Sequence, residues 1–404
     1  MARRTISVRQ RRHAMVRRHH LGGDAPTPQA VTNALVALHA TDPASVYLSV
    51  LARSSASTLT DVSAAMYERR DLVRWMAMRR TVFLLPRADV PVVQAAVSTP
   101  LAAVLRRRLI SQLRRNGTEP PIDDDLETWL AGAQERVEHA LRARGSATGA
   151  ELAADVPALR TFILPRAVSD RPQHVTSAFL AMLSAQGRIV RATPTGPWTS
   201  RHHRWEPVER WWPDSLPELT AEAAQRELAR RWLARFGPAT VEDLRWWAGW
   251  NKTTVRHALR ELPVEDVDLH GDTGIALADD ELDEATPSLP PVATLLPALD
   301  PTPMGWKRRD WFFGIPQHNV FDNHGNIGPT LWWDGEIIGS WAVAASGEIR
   351  TTVLADRGAE ARTAVRDAAA RLRERLGGVV ITPAIRTPLE RSLVERVVQS
   401  CAGS

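Results

Sequence analysis

The chain has 404 residues, 44% of them hydrophobic and 24% charged, with a formal charge of +5 and a sequence pI near 10.2. That length exceeds one hydrophobic core and implies about two to four domains, and the composition excludes a disordered chain. No apolar run approaches the length expected of a bilayer span, so no membrane partner is expected, and the single cysteine, Cys401, excludes an intramolecular disulfide and fits a reducing cytoplasm.

The first twenty residues contain seven arginines, three histidines and no acid. They lack the apolar centre of a signal peptide, and they run straight into a helical pattern, which argues against a transit peptide. From Val8 to about His20 they suit a basic helix, broken by Gly22-Gly23, Pro26 and Pro28. A helix from Pro28 is expected to end near Thr41, because Asp42 precedes Pro43 and is pushed out of the α region. The stretch LVALHATDPASVYLSVLAR, Leu35–Arg53, combines apolar helical spacing with His39, Thr41 and Asp42 at close, fixed separation. Helices are then predicted over Thr58–Arg70 and Asp71–Met78, followed by a β pattern in RRTVFLLP, Arg79–Pro86. Helices followed by a short strand pair form the outline of a winged helix.

Arg87–Arg115 reads as helix, and the turn-rich acidic segment Asn116–Asp125 separates it from a second cycle. That cycle has a helix from Leu126 to Arg144, a capping box at Thr148 and Glu151, a recognition-type helix over Val175–Gly187, and two strands within Gly187–Trp205. A third cycle has a helix from Thr220 to Phe236, a break at Gly237-Pro238, and a helix-turn-helix. In it Thr240 with Asp243 caps one helix and Thr253 the next, while Val241, Leu244, Trp247, Val255, Ala258 and Leu259 face inward. Beyond Asp266 the texture becomes β-like, with short runs that include IALA, ATLLPALD, RDWFFGI and EIRTTVL. The alternation in TLWWDGEIIGSWAV around Asp334-Gly335 signals a hairpin. A helix over Ala359–Leu376 and a strand at Val379–Thr382 close the chain.

Almost every basic residue is arginine; the lysines are Lys252 and Lys307. A GC-rich genome would spread arginine evenly, but here it clusters at the amino terminus, at Arg106-Arg107-Arg108, at Arg114-Arg115 and around Arg201-His202-His203-Arg204. That patchiness favours a polyanion partner. There is no Walker loop, dinucleotide glycine fingerprint, nucleophile elbow or metal-ligand set, so neither a nucleotide cofactor nor a metal is expected. The adjacent pairs His19-His20 and His202-His203 suit solvated or phosphate-facing roles. Hydrolysis by a positioned water needs only a hydrogen-bonding base and a suitable electrostatic environment. His39 and Thr41 are the candidates; the ordinary alternative is that His39 satisfies a backbone carbonyl and Thr41 caps a helix. Asp42 doubles as a turn initiator. Asp300, in LLPALDPTPMGWKRRDWFF, sets an acid beside Lys307, Arg308 and Arg309, or else marks a turn beside a surface charge run. Trp306 and Trp311 flank that run.

The motifs Leu-x-x-Leu-His-Ala-Thr-Asp-Pro-x-x-x-Tyr-Leu-Ser (Leu35–Ser49), RRTVFLLP, LDPTPMGWKRR (Leu299–Arg309) and GPTLWWDGEIIGSW (Gly328–Trp341) agree together in order and spacing. Through them nearly the whole chain resembles the winged-helix DNA glycosylases of the AlkZ and YcaQ type. The resemblance implies an α+β fold of three tandem winged helices in a C-shaped scaffold plus a β-rich lobe. The expected boundaries are 1–118, 119–215, 216–268 and 269–404. It further implies a monofunctional DNA glycosylase that hydrolyses the N-glycosidic bond of bulky or cationic N-alkylated purines, a double-stranded DNA partner, no cofactor, and a monomer in the cytoplasm at the nucleoid. The family's catalytic motif, glutamine, any residue, then glutamine or aspartate, falls on His39-Ala40-Thr41, with Asp42 and Asp300 as supporting acids. Arg11, Arg12, Arg17, Arg18, Arg201, Arg204, Lys307, Arg308 and Arg309 are the expected DNA contacts. The departure from glutamine leaves two alternatives: a non-catalytic lesion sensor, or a regulator reading sequence through Thr253–Arg260.

Overall fold

The computed structural model describes residues 3–166, 173–280, 282, 290–383 and 386–395. The chain forms two compact units, Met1–Arg69 with Arg226–Ser404, and Arg70–Gln225. The first unit opens with β1 (Arg4–Thr5) and the basic helix α1 (Val8–Arg18), started by a reciprocal Ser7/Gln10 capping box. Helix α2 (Pro28–Ala34) follows with Thr27 as cap and proline in its first turn. It ends well before Thr41. Leu35 leaves the helical region and Val36 takes a left-handed φ of 60°, so the chain continues as the short strand β2 (Leu38–His39). A stop made by a β-branched residue at positive φ carries no glycine or asparagine to announce it. The proline rule acts one element later: Asp42 is the extended cap of α3 (Pro43–Arg53) and accepts from the Ala44 amide at 3.1 Å. Helix α4 (Leu59–Ser63), boxed by Thr58 and Asp61, runs on as a wider turn to Glu68.

The second unit begins with β3 (Leu72–Ala77) where a helix was expected. All six residues are buried, so both faces are apolar and the alternation that marks a strand is erased. β3 pairs antiparallel with β4 (Thr81–Pro86) across a tip where Arg79 and Arg80 both hold positive φ. The next helical run, Arg87–Asn116, contains α5 (Val90–Val93) and α6 (Thr99–Asn116). By length and composition it is apolar enough to cross a bilayer, contrary to the reading of the sequence; half of its apolar window is buried within the protein. After β5 (Thr118–Glu119) come α7 (Leu126–Arg144), α8 (Gly149–Asp155) with the expected Thr148/Glu151 box, β6 (Phe162–Ile163), β7 (Gln173–His174) and α9 (Thr176–Ala185). The hairpin β8 (Ile189–Pro194) and β9 (His203–Pro207) completes a sheet in which β4, β3, β8 and β9 are neighbours in that order. The core of this unit gathers Leu109, Leu113, Leu130, Val137, Phe179, Leu183 and Trp205. Each such side chain contributes roughly 1.5–3 kcal/mol by leaving water.

The first unit resumes with α10 (Ala221–Phe236), α11 (Val241–Ala248) and α12 (Lys252–Leu259). Thr240 and Asp243 form the expected box, but Asn251 rather than Thr253 caps α12, accepting from the Thr254 amide. Val241 is exposed rather than inward, whereas Leu244, Trp247, Val255 and Ala258 are buried. β10 (Val264–Leu269) and β11 (Asp272–Leu277) form a hairpin, and β1 lies against β10. Ala239, between α10 and α11, bridges Ile275 of β11. A meander of β12 (Ala293–Leu296), β13 (Thr330–Trp333), β14 (Glu336–Val343) and β15 (Ile349–Val353) follows, then α13 (Gly358–Leu376) and α14 (Pro388–Glu395). The hairpin at Asp334-Gly335 is as expected, with positive φ at both residues. RDWFFGI holds one tight helical turn, Asp310–Phe312, instead of a strand, and Val379–Thr382 is not a strand. Cys401 lies outside the described residues.

Candidate active site

Helix α3 organises the surroundings of the His39-Ala40-Thr41 segment. Every residue of α3 except Ala52 is buried, which is the pattern of a helix packed on all sides. Its polar positions Ser45, Ser49 and Arg53 recur every fourth residue and so share one face. There Arg53, fully buried, spends all five N–H donors: Nε on the His19 carbonyl, two on both Asp300 oxygens at 2.8 and 2.7 Å, one on the Ser49 carbonyl and one on Thr302 Oγ1. Asp300 is also fully buried and accepts further from Ser49 Oγ at 2.9 Å and the Thr302 amide at 2.9 Å. His19 closes the network. Its Nε2 donates to the Arg235 carbonyl, which leaves Nδ1 to accept from Thr302 Oγ1, a tautomer assigned from these partners. Burial, and after it the Arg53 charge, holds His19 neutral well below the usual imidazole range.

Asp300 therefore does not stand beside the Lys307–Arg309 run. It fixes α3 from beneath through Arg53, the residue that ends the opening stretch and that sequence reasoning left unassigned. The available signal was the four-residue spacing of Ser49 and Arg53. At the other end of α3, Asp42 caps the helix. Immediately before it His39 is half-buried, Ala40 fully buried and Thr41 exposed. The strand ends at His39, Ala40 packs into the core, and Thr41 and Asp42 form the bend that leads into α3. A cleft of about 720 Å³ in this unit is lined by Gly22, Leu51, Thr58, Thr60, Arg371 and Arg375 among others, and neither His39 nor Thr41 lines it. Among the described residues no cluster of His, Cys, Asp and Glu has the grouping of a metal site.

The expected DNA-contacting residues divide sharply. In α1, Arg11 is buried with its guanidinium 4.1 Å over the Trp311 ring, Arg12 binds the Trp311 carbonyl and Glu336, and Arg18 pairs with Asp280 and the Gly237 carbonyl. These three hold α1 in its unit rather than presenting charge; Arg17 is exposed. In the Lys307–Arg309 run Lys307 and Arg308 are exposed but face acids. Lys307 pairs with Glu242, Arg308 with Asp272, and Arg309 lies over the Trp246 and Phe321 rings, while the Lys307 and Arg308 amides both donate to buried Asp243. Trp306 is buried and Trp311 packs on Arg11, so neither is an open stacking platform. In the second unit Arg201 is exposed and Arg204 binds Ser146 and Glu151. His203, expected to be solvated, is largely covered; burial first, then Arg191 and Arg74, lowers its pKa to about 3. The exposed hairpin tip Arg79-Arg80 is absent from the expected DNA contacts, and the arginine clusters of α6, whose patchiness favours a polyanion, are not among them either.

The model of the AlkZ-like DNA glycosylases matches residues 32–375. The chain belongs to the AlkZ-like DNA glycosylase family. Membership carries DNA binding as the shared property of the family. Among solved structures this AlkZ-like chain is similar to the Streptomyces sahachiroi DNA glycosylase AlkZ, at 21% identity over 94% of this chain and 99% of that one, with a TM-score of 0.71. At that identity the likeness shows a shared α+β fold. No curated protein matches the sequence.

Proposed function

We propose that this protein is a monofunctional DNA glycosylase that removes bulky or cationic N-alkylated purines from duplex DNA. The observation that carries the reading is the half-buried His39 and the exposed Thr41, on the segment that resembles the family's catalytic motif, directly ahead of a helix anchored at its far end by Arg53 and Asp300. A neutral imidazole accepts a proton or orients a water, and the threonine hydroxyl supplies a second, shorter hydrogen-bonding group. A purine alkylated at N7 is already cationic and leaves readily, so modest direction of a water suffices. Arg17, Arg201 and the Arg79-Arg80 tip are the exposed cations proposed to meet phosphates. The scaffold is proposed as three winged helices, supported by the order helix, short extended segment or bridge, two helices, two strands at 28–86 and 221–277, and at 126–207 with β6 and β7 inserted between the two helices. Full extrusion of a bulky base into a tight pocket is not part of this reading.

The test is incubation of the full chain with duplex DNA containing N7-methylguanine, followed by detection of abasic sites. Excision by the parent chain, reduced about 10²-fold in His39→Ala, is expected; that is the low end for proton-transfer catalysis because the leaving group needs little help. Excision undiminished by His39→Ala would overturn the role of the histidine. Threonine in place of the family's amide or carboxylate favours a second reading, a non-catalytic lesion-binding protein. Salt-dependent duplex binding with no abasic product on small or bulky lesions would establish it.

A further inference from the structure

The long helices use their arginines in two different ways. In α7, α10 and α13 the arginines are interleaved with acids, at Glu127, Glu135 and Glu138, at Glu222 and Glu227, and at Glu360, Asp367 and Glu374. Several of these acids take arginines directly: Glu138 pairs with Arg142 of the same helix and with Arg188 beyond it, and Glu227 with Arg230 and Arg231. Helix α6 contains five arginines and no acid in eighteen residues. Ala102, Leu109, Ile110 and Leu113 form its buried face. At 100° per residue Arg107, Arg108, Ser111, Arg114 and Arg115 project from the opposite side. All five are exposed. Arg106, at the margin, takes Glu127, and the Arg115 guanidinium also donates to the Ser111 carbonyl. Among the described residues Arg107, Arg108, Arg114 and Arg115 have no carboxylate within ion-pair distance, although Asp123, Asp124 and Asp125 lie in the loop that follows. A compositional bias toward arginine would not remove the acids from one helix while keeping them in three others.

We propose that this face of α6 is a sequence-independent docking surface for the phosphate backbone of duplex DNA. The inference rests on the DNA-binding reading above. From Arg107 to Arg115 the stripe is about 12 Å long. Duplex DNA carries one charge per about 1.7 Å of axis with both strands counted and one per about 3.4 Å on each strand, so a single backbone alongside the stripe offers about three or four phosphates, enough to engage its four arginines. Guanidinium forks suit this contact, being planar, permanently charged and able to take phosphate oxygens in pairs.

The experiment measures affinity of the full chain for lesion-free duplex DNA across a salt series. The parent is compared with Arg107→Gln/Arg108→Gln/Arg114→Gln/Arg115→Gln and with a charge-matched control on α13, Arg362→Gln/Arg366→Gln/Arg371→Gln/Arg373→Gln. Glutamine keeps helix propensity close to that of arginine, and circular dichroism confirms the fold. The stripe variant is expected to lose at least tenfold in affinity at low salt and to flatten the slope of log K against log salt by about 2–4, at about 0.9 per lost phosphate contact. The control keeps most of the parental slope. Equal losses in both variants would reduce the effect to net charge and overturn the proposal. Unchanged binding by the stripe variant overturns it while leaving the DNA-binding reading intact; a parent that shows no salt-dependent duplex binding overturns that reading itself. Loss of binding to phosphatidylserine vesicles with DNA binding unaltered would assign the stripe to a membrane and also overturn it.

Discussion

Arg53 and Asp300 form a buried ion pair whose remaining hydrogen-bonding groups are all used, and such a pair is far costlier to break than to replace whole. Asp300→Asn leaves a buried guanidinium without its counter-charge, and a loss of about 3–5 kcal/mol in urea unfolding is expected. Arg53→Met with Asp300→Leu, which removes both charges, should recover much of that loss; a double variant no better than Asp300→Asn alone would show that the pair is not the determinant. His19 gives the same network a pH signature. An unfolded imidazole takes up its proton near pH 6.5, whereas folded His19 stays neutral well below that. The unfolded state therefore binds the extra proton, and the stability His19 contributes is complete above about pH 6.5 and lost as pH falls below it. His203, lowered to about 3, acts in the same direction. The difference in urea midpoint between the parent and His19→Asn should shrink from pH 7 to pH 5, and a difference independent of pH would contradict this assignment.

At the scale of elements, α1 and α6 look alike as sequences and behave in opposite ways. Both are rich in arginine and free of acid, yet α1 buries Arg11 and commits Arg12 and Arg18 to Trp311, Glu336 and Asp280, while α6 turns its arginines to solvent. These partners of α1 lie more than 200 residues away in the chain, so no local pattern reveals them. The expected consequence is that Arg18→Ala lowers the thermal midpoint by several degrees with little change in the salt slope of DNA binding, the reverse of the α6 variant; a large fall in that slope would return α1 to the DNA surface. Similar physics separates the elements that could be read from those that could not. Helices α7, α10 and α13, the boxes at Thr148 and Thr240 and the Asp334-Gly335 hairpin are set by neighbours within a few residues. β3 was hidden because burial on both faces removes alternation, and the early end of α2 because Val36 adopts a left-handed φ without a glycine.

For the whole molecule, the motifs of the sequence located the family, and the family match and the shared α+β fold agree with that reading. What the sequence did not reveal is how the site segment is held. His39 was expected at a helix end; it stands instead at the end of the short strand β2, and Thr41 lies in the bend that leads into α3. The Arg53–Asp300 pair that anchors the following helix joins residues 247 positions apart. The account comes down to whether a histidine and a threonine in this setting direct a water at a glycosidic bond. Single-turnover release of free N7-methylguanine from duplex DNA measures this most directly, with the parent, His39→Ala and Thr41→Gln side by side. Release by the parent is expected, with release slowed about 10²-fold by His39→Ala, and release at least as fast as the parent's from Thr41→Gln, which restores an amide at the family's second position. No release from the parent together with intact, salt-dependent DNA binding would contradict it.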